Sequence, residues 1–218
     1  RISDERIGSV VDEYLNEKRG LWNDPLIQFN PGYEKGTPLH ELNNAHPDFS
    51  RFFPFSPHKH QEEAVQLGIK GQHFIVISGT GSGKSLTYMA TVFNHLLKTN
   101  GTKKQPGVHA LIVYPMNALI NSQHGEIEKL QKFYEEKHGT DSFPFSYAKY
   151  TGQEKTEQKQ KIIDEKPNII LTNYVMLELM LVRAKEQALR ESIFENLQYL
   201  VFDELHTYRG RQGADVAM

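Results

Sequence analysis

Eight consecutive residues, Ser78-Gly79-Thr80-Gly81-Ser82-Gly83-Lys84-Ser85, carry the types and spacing that hold a chain of phosphates. Gly79, Gly81 and Gly83 open backbone angles closed to other residues and let N–H groups turn inward on an anion. A helix that starts at Ser85 adds partial positive charge at the same place. The Lys84 ammonium can reach the β- and γ-phosphates, and the Ser85 hydroxyl can hold Mg²⁺. Thr80, Gly81, Ser82, Gly83, Lys84 and Ser85 are therefore candidate nucleotide ligands, with Lys84 also catalytic. The strict pattern G-x-x-x-x-G-K-[ST] has Gly where this chain has Ser78.

Phosphoryl transfer also needs acid on the metal side and a group that orients the attacking water. Asp203-Glu204 follows the apolar run Tyr199–Phe202. Asp203 is assigned to Mg²⁺ through water and Glu204 to the water as base. A lone Asp-Glu pair elsewhere would read as helix N-terminal charge. His206 is placed to couple nucleotide state to the rest of the site. Gln61 lies ahead of the loop, and its side-chain amide can donate and accept at once, as the edge of adenine does. The bland alternative for Gln61 is solvated surface. His58 and His60 are two apart, share no helical face, and read as surface or packing residues.

These residues need elements to position them. Phe74–Ile77 reads as a strand ahead of the loop, and Ser85 to about Leu97 as the helix after it. Ser56-Pro57 starts a helix that runs to about Leu67 and stops at Gly68. Further strands are expected at Ala110–Tyr114, Phe145–Tyr150, Asn168–Leu171 and Tyr199–Phe202, five in all. Helices are expected after Pro115, over 153–166, and from Asn173 to about Glu191. Strand and helix alternate with connections long enough for crossovers, which makes an open, mostly parallel sheet covered by helices. Ligands in such sheets gather beyond the carboxyl ends of the strands. The polar clusters Gly79–Ser85, Pro115–Asn117, Thr151-Gly152, Thr172-Asn173 and Asp203–His206 all fall there, so one continuous functional edge is expected. Residues 1–54 read as a partly helical extension. Ile7, Val10, Val11, Tyr14 and Leu15 share one helical face, Leu21–Pro25 and Asn30-Pro31-Gly32 carry turn signals, and Thr37-Pro38 opens a short helix. Residues 55–218 read as the main domain.

The composition agrees with one globular domain. Of 218 residues, 38% are hydrophobic and 24% charged, and the net charge of −2 excludes a wholly electrostatic nucleic-acid binder but not a local basic groove. The chain has no Cys, hence no disulfide framework and no Cys-based zinc site. No apolar run approaches the roughly 18 residues of a membrane span, and no signal peptide is visible. The expected compartment is the cytoplasm. The first residue is Arg, which points to a fragment.

Taken together, Gln61, T-G-S-G-K-S at 80–85, Y-P-M-N-A-L at 114–119, Y-T-G at 150–152, T-N-Y at 172–174 and D-E-L-H at 203–206 resemble the first motor domain of superfamily 2 DEAD/DEAH-box helicases. Thr207–Asp215 and the stretch Asp24–Gly32 resemble the Lhr- and MrfA-like DNA helicase branch of repair and phage defence. The resemblance is strong over about 55–218 and weaker before it. It implies a RecA-like P-loop NTPase three-layer α/β sandwich, ATP and Mg²⁺ as cofactors, and ATP-driven 3′-to-5′ movement on single-stranded DNA. It also implies a second RecA-like lobe of the same polypeptide, and partners in a repair or defence complex. In such motors the nucleic-acid backbone crosses the sheet edge. By position, Pro115, Asn117, Thr151, Gly152, Thr172 and Asn173 should contact phosphates without reading bases. Arg209 and Arg211 could add phosphate contacts, face the second lobe, or lie on solvated surface.

No S-A-T motif or second lobe follows in this sequence, and loss of an arginine finger costs roughly 10³ to 10⁵ in rate. The 218-residue chain is thus expected to bind ATP weakly, hydrolyse it slowly and leave duplexes wound. Two alternatives stay open: an RNA helicase, since backbone contacts discriminate weakly without 2′-hydroxyl readout, and an ATP-binding switch that regulates a protein partner.

Overall fold

The computed structural model describes residues 4–17, 32–79, 81–101, 103–210 and 213–214. Its contacts form two units, Arg1–Tyr33 and Glu34–Met218. In the first, helix α1 (Glu5–Asp12) is capped by the Asp4 carboxylate, which accepts from the Arg6 and Ile7 N–H groups. Ile7, Val10 and Tyr14 are exposed. The turn expected at Leu21–Pro25 lies outside the described residues.

The second unit is built on a four-stranded parallel sheet in the order β2-β3-β1-β4. The strands are β1 (Ala110–Tyr114), β2 (Tyr147–Tyr150), β3 (Ile169–Asn173) and β4 (Tyr199–Phe202). Helices α2 (Lys59–Ile69), α3 (Lys84–Asn100), α4 (Asn117–His138), α5 (Thr156–Glu165), α6 (Tyr174–Val182) and α7 (Gln187–Asn196) surround it. The alternation along β1 divides the core. Ala110, Ile112 and Tyr114 face a cluster with Phe93 and Leu96 of α3 and Ile120, Ile127 and Tyr134 of α4. Leu111 faces the other cluster, with Ile163 of α5, Met176 and Met180 of α6, and Leu189 and Ile193 of α7. Two apolar faces on one parallel sheet require a helical layer on each side.

Two sequence expectations are corrected. Phe74–Ile77 is not a strand: it pairs with nothing in the sheet, and Ile75 and Ile77 are 74% and 93% exposed. Apolarity supplies β propensity, but a strand needs a ladder partner, and β4 uses its ladder on β1. The sheet therefore has four strands where five were expected. The long helix from Asn173 breaks after Val182. Arg183 is extended, a short 3₁₀ turn spans Ala184–Glu186, and α7 begins at Gln187. The Arg190 guanidinium donates to the Leu181 and Arg183 carbonyls, satisfying the end of α6. The contact units meet at 33/34, inside the extension that the sequence reading gave as 1–54. Leu39, Leu42, Phe49, Phe52 and Phe53 are all buried in the core cluster.

At the opposite end of β1 from the carboxyl edge, His109 is buried and its Nδ1 lies 3.3 Å from His95 Nε2. Burial lowers both imidazoles below their ordinary value, and for His95 the neighbouring His109 and Lys98 add repulsion. Burial likewise lowers His124 on α4. A depressed folded-state value means the unfolded chain takes up protons more readily. Stability is thus complete above about pH 6.5 and declines as pH falls through that value toward the folded-state ones. Thermal melts are expected to show this decline between pH 7.5 and 5.5. His109→Gln should flatten it.

Candidate nucleotide and nucleic-acid sites

The parallel registers end together. Tyr114 pairs with Asn173, Val113 with Phe202, and Tyr150 with Thr172, so the segments after all four strands leave from one edge. The Asp203 N–H donates to the Val113 carbonyl at 2.9 Å and carries the β4 ladder one residue further. That bond sets Asp203 on the functional edge.

Gly81 and Gly83 adopt left-handed φ of 77° and 72°. Gly83 is the residue that caps α3, and a Cβ there would lie 2.5 Å from Gln61 Nε2. Glycine is needed at 83 for both reasons. Lys84 Nζ donates to the Ser78 and Gly79 carbonyls at 3.0 and 3.2 Å. The Ser78 and Ser82 hydroxyls are hydrogen-bonded to each other. Thr80 lies outside the described residues.

Gln61 is buried, and both ends of its amide are engaged. Nε2 donates to the Ser82 and Gly83 carbonyls at 3.1 and 3.0 Å, and Oε1 accepts from the His58 N–H at 2.8 Å. In this arrangement Gln61 ties α2 to the loop, so reading adenine requires these bonds to be exchanged. His60 Nε2 lies 3.2 Å from the Ser82 carbonyl, so it too belongs to the loop support.

The two halves of the chemistry meet at Tyr88, which the sequence reading left unassigned. Its hydroxyl donates to Asp203 Oδ2 at 3.4 Å and lies 3.2 Å from the Tyr114 hydroxyl, and Tyr88 stands one turn after Ser85 on α3. Ser85 and Asp203 thus share one neighbour. Spacing held the signal: Lys84 and Tyr88 are four apart, Ser85 and Tyr88 three, all on one helical face. The Asp203 Oδ1 accepts from the Glu204 N–H at 2.9 Å. Glu204 has a left-handed φ of 50°, rare outside Gly and Asn and commonest at functional turns. Its carboxylate is 3.3 Å from His206 Nδ1.

Beside this pair lies a cleft of about 470 Å³ lined by Pro115, Met116, Asn117, Gly152, Asn173, Tyr174, Val175, Met176, Thr207 and Tyr208. Four of the residues assigned to phosphate contact, Pro115, Asn117, Gly152 and Asn173, are in it. Asn173 Nδ2 donates to Asn117 Oδ1 at 2.9 Å, joining the starts of α4 and α6. None of the lining residues is charged, so helix N-termini and neutral amides are the groups it offers an anion. Tyr174 and Tyr208 add aromatic surface that the sequence reading did not assign. Thr172 is fully buried and its hydroxyl donates to the Tyr150 carbonyl at 2.7 Å, so it braces the edge from behind. Arg209 is exposed, and Arg211 lies outside the described residues.

Thr151 is a special case. Its N–H and hydroxyl both donate to Glu154 Oε2, at 2.5 and 2.6 Å. A carboxylate of the chain itself sits where a phosphate oxygen is expected. Glu154→Gln is therefore expected to tighten binding of single-stranded DNA up to about tenfold, the scale of one charge-assisted hydrogen bond of ~1.5 kcal/mol. A fluorescence-anisotropy titration checks it. Weaker binding in the variant would mean that Glu154 only shapes the loop.

The family model described as DEAD/DEAH box helicase matches residues 58–218. The chain is 32% identical over 158 residues to the uncharacterized ATP-dependent helicase YprA of Bacillus subtilis, covering 72% of this chain and 19% of YprA. It is 29% identical over 144 residues to Druantia protein DruE of Escherichia coli, covering 59% of this chain and 8% of that protein. It spans about a fifth or less of the length of these curated relatives. Among solved structures, helicase MrfA bound to DNA and AMPPNP superposes with a TM-score of 0.65 at 25% identity, covering 91% of this chain and 26% of MrfA. Mycobacterium smegmatis helicase Lhr bound to ssDNA and AMP-PNP shares the fold, with a TM-score of 0.66 at 24% identity, covering 84% of this chain and 23% of Lhr.

Proposed function

Because the chain belongs to the DEAD/DEAH box helicase family, we propose that it forms the ATP-binding half of a motor that moves along single-stranded DNA. The observation that carries this reading is the bond to Asp203, at the end of β4, from the Tyr88 hydroxyl, one turn after Ser85 on the helix that follows the glycine loop. A triphosphate on the loop would then lie against the acidic pair.

In this reading the loop N–H groups and the α3 N-terminus bind the phosphates, and Lys84 neutralises charge at the γ-phosphate. The Lys84 ammonium exchanges its two loop carbonyls for phosphate oxygens. Ser85 and Asp203 would hold Mg²⁺. Their hydroxyl and carboxylate oxygens are the hard donors that such an ion takes. Bound there, Mg²⁺ supplies charge stabilisation for phosphoryl transfer. Glu204 accepts the proton of the attacking water, and His206 orients the Glu204 carboxylate. The 470 Å³ cleft takes the strand backbone through Asn117, Gly152, Asn173 and the starts of α4 and α6. A second RecA-like lobe would close over the nucleotide. Repair or phage defence is the process that the resemblance favours.

Support for DNA comes from MrfA and Lhr, whose structures are described as bound to DNA and to ssDNA. Among the described residues no helix is long and apolar enough to cross a membrane. The test is ATPase activity of the complete protein with single-stranded DNA, duplex DNA and RNA in parallel. Stimulation by single-stranded DNA is expected. Stronger stimulation by RNA would replace the substrate, and none by any nucleic acid would favour the switch.

A further inference from the structure

Tyr88 sits one turn into α3, and its phenol is almost fully enclosed. Two groups meet the hydroxyl, Tyr114 from the end of β1 and Asp203 from the end of β4, and Ser85 stands one turn before it on the same helix. The proton count orders them. A phenol has one proton, and Tyr88 gives it to the Asp203 carboxylate, which can only accept. Tyr114 must then donate to the Tyr88 oxygen. Hydrogen bonds so chained polarise one another toward the carboxylate.

We propose that Tyr88 is a positioning residue for Mg²⁺: it fixes the Asp203 carboxylate opposite Ser85, which stands one turn before Tyr88 on the same helix. The proposal rests on the function assigned above and deepens it. Tyr88 does not touch nucleotide or metal; it acts through Asp203, which reaches the metal by way of a water. Burial pushes the Tyr88 and Tyr114 phenols well above their ordinary range, with the charge of Asp203 adding to it, so both keep their protons at physiological pH. Tyr114 also leads directly into Pro115–Asn117 of the cleft. The same phenol pair therefore ties the metal-side carboxylate to the nucleic-acid edge.

The test is a Mg²⁺ titration of fluorescent ATP-analogue binding by the complete protein. Tyr88→Phe keeps the ring and removes the hydroxyl. The Mg²⁺ concentration at half-maximal enhancement should rise about tenfold, the low end of what losing a partner of a metal ligand costs. Binding without Mg²⁺ should not change. Tyr114→Phe leaves the Tyr88–Asp203 bond in place and should shift the midpoint in the same direction by less. Wild-type protein that binds no nucleotide would remove the ATP site itself. Wild-type binding that responds to Mg²⁺, with an unchanged midpoint in Tyr88→Phe, would overturn the positioning role alone. So would a variant that melts lower yet keeps the midpoint, since that is the mark of a merely structural hydroxyl. Should Tyr88→Phe fail to fold, Tyr114→Phe decides, and an unchanged midpoint there would overturn the proposal.

Discussion

Glu204→Gln is expected to bind nucleotide as the wild type does and to turn over about 10² to 10⁴ times more slowly, the usual contribution of a positioned general base. The substitution preserves shape and the oxygen that faces His206 Nδ1, while an amide cannot take a proton from water. It also preserves the left-handed backbone at 204, because the side chain changes by one atom. Single-turnover hydrolysis and an equilibrium binding assay separate the two effects. Wild-type turnover in the variant would assign the base elsewhere. Reduced binding with unchanged turnover would make Glu204 a ligand and not a base.

Phe52→Ala should cost about 3–5 kcal/mol of folding stability, the range for emptying a buried aromatic site. Phe52 is 1% exposed and its ring meets those of five other aromatics, Phe53 among them. Its ring stacks on Tyr134 at 4.6 Å and on Phe145 at 5.4 Å, and meets Phe93 and Phe143 edge-on at 5.5 and 5.8 Å. The residues around it come from α3, α4 and the approach to β2, so alanine leaves a void that no single side chain can fill. At two to four degrees per kcal/mol for a unit of this size, the melting temperature should fall by about 10 °C. Phe52→Leu should lose much less. A small effect in the alanine variant would mean that segment 47–53 peels away from the core and is not part of it.

The phosphate loop and the acidic pair were legible because each is local. Glycine spacing, a basic residue and a following helical pattern lie within twenty residues, and Asp203 ends a short apolar run. Strands β1 and β3 were readable for the same reason, as apolar runs buried along their length, and β4 as a short apolar run that is only half-buried. Phe74–Ile77 has the same composition and is no strand. Pairing is a property of two segments, and one segment's sequence does not state its partner. The break between α6 and α7 has no Gly or Pro to announce it. It follows from Glu186, which turns inward to accept the Tyr150 hydroxyl at 3.0 Å across 36 positions. The Tyr88–Asp203 bond spans 115 positions, and Glu154 takes the Thr151 donors by a loop geometry that spacing does not reveal. Aromatic residues at 49–53 read as a covering extension because no period ties them to the sheet.

The central claim is that one nucleotide and one ion share the loop at Lys84 and the acids at 203–204. The most direct measurement is a crystal structure of the complete protein with a non-hydrolysable ATP analogue and Mn²⁺, located by anomalous scattering. The account predicts a single peak at about 2.1 Å from Ser85 Oγ, one water away from the Asp203 carboxylate. A triphosphate on the loop with its metal held elsewhere, and Asp203 out of reach of a bridging water, would contradict it.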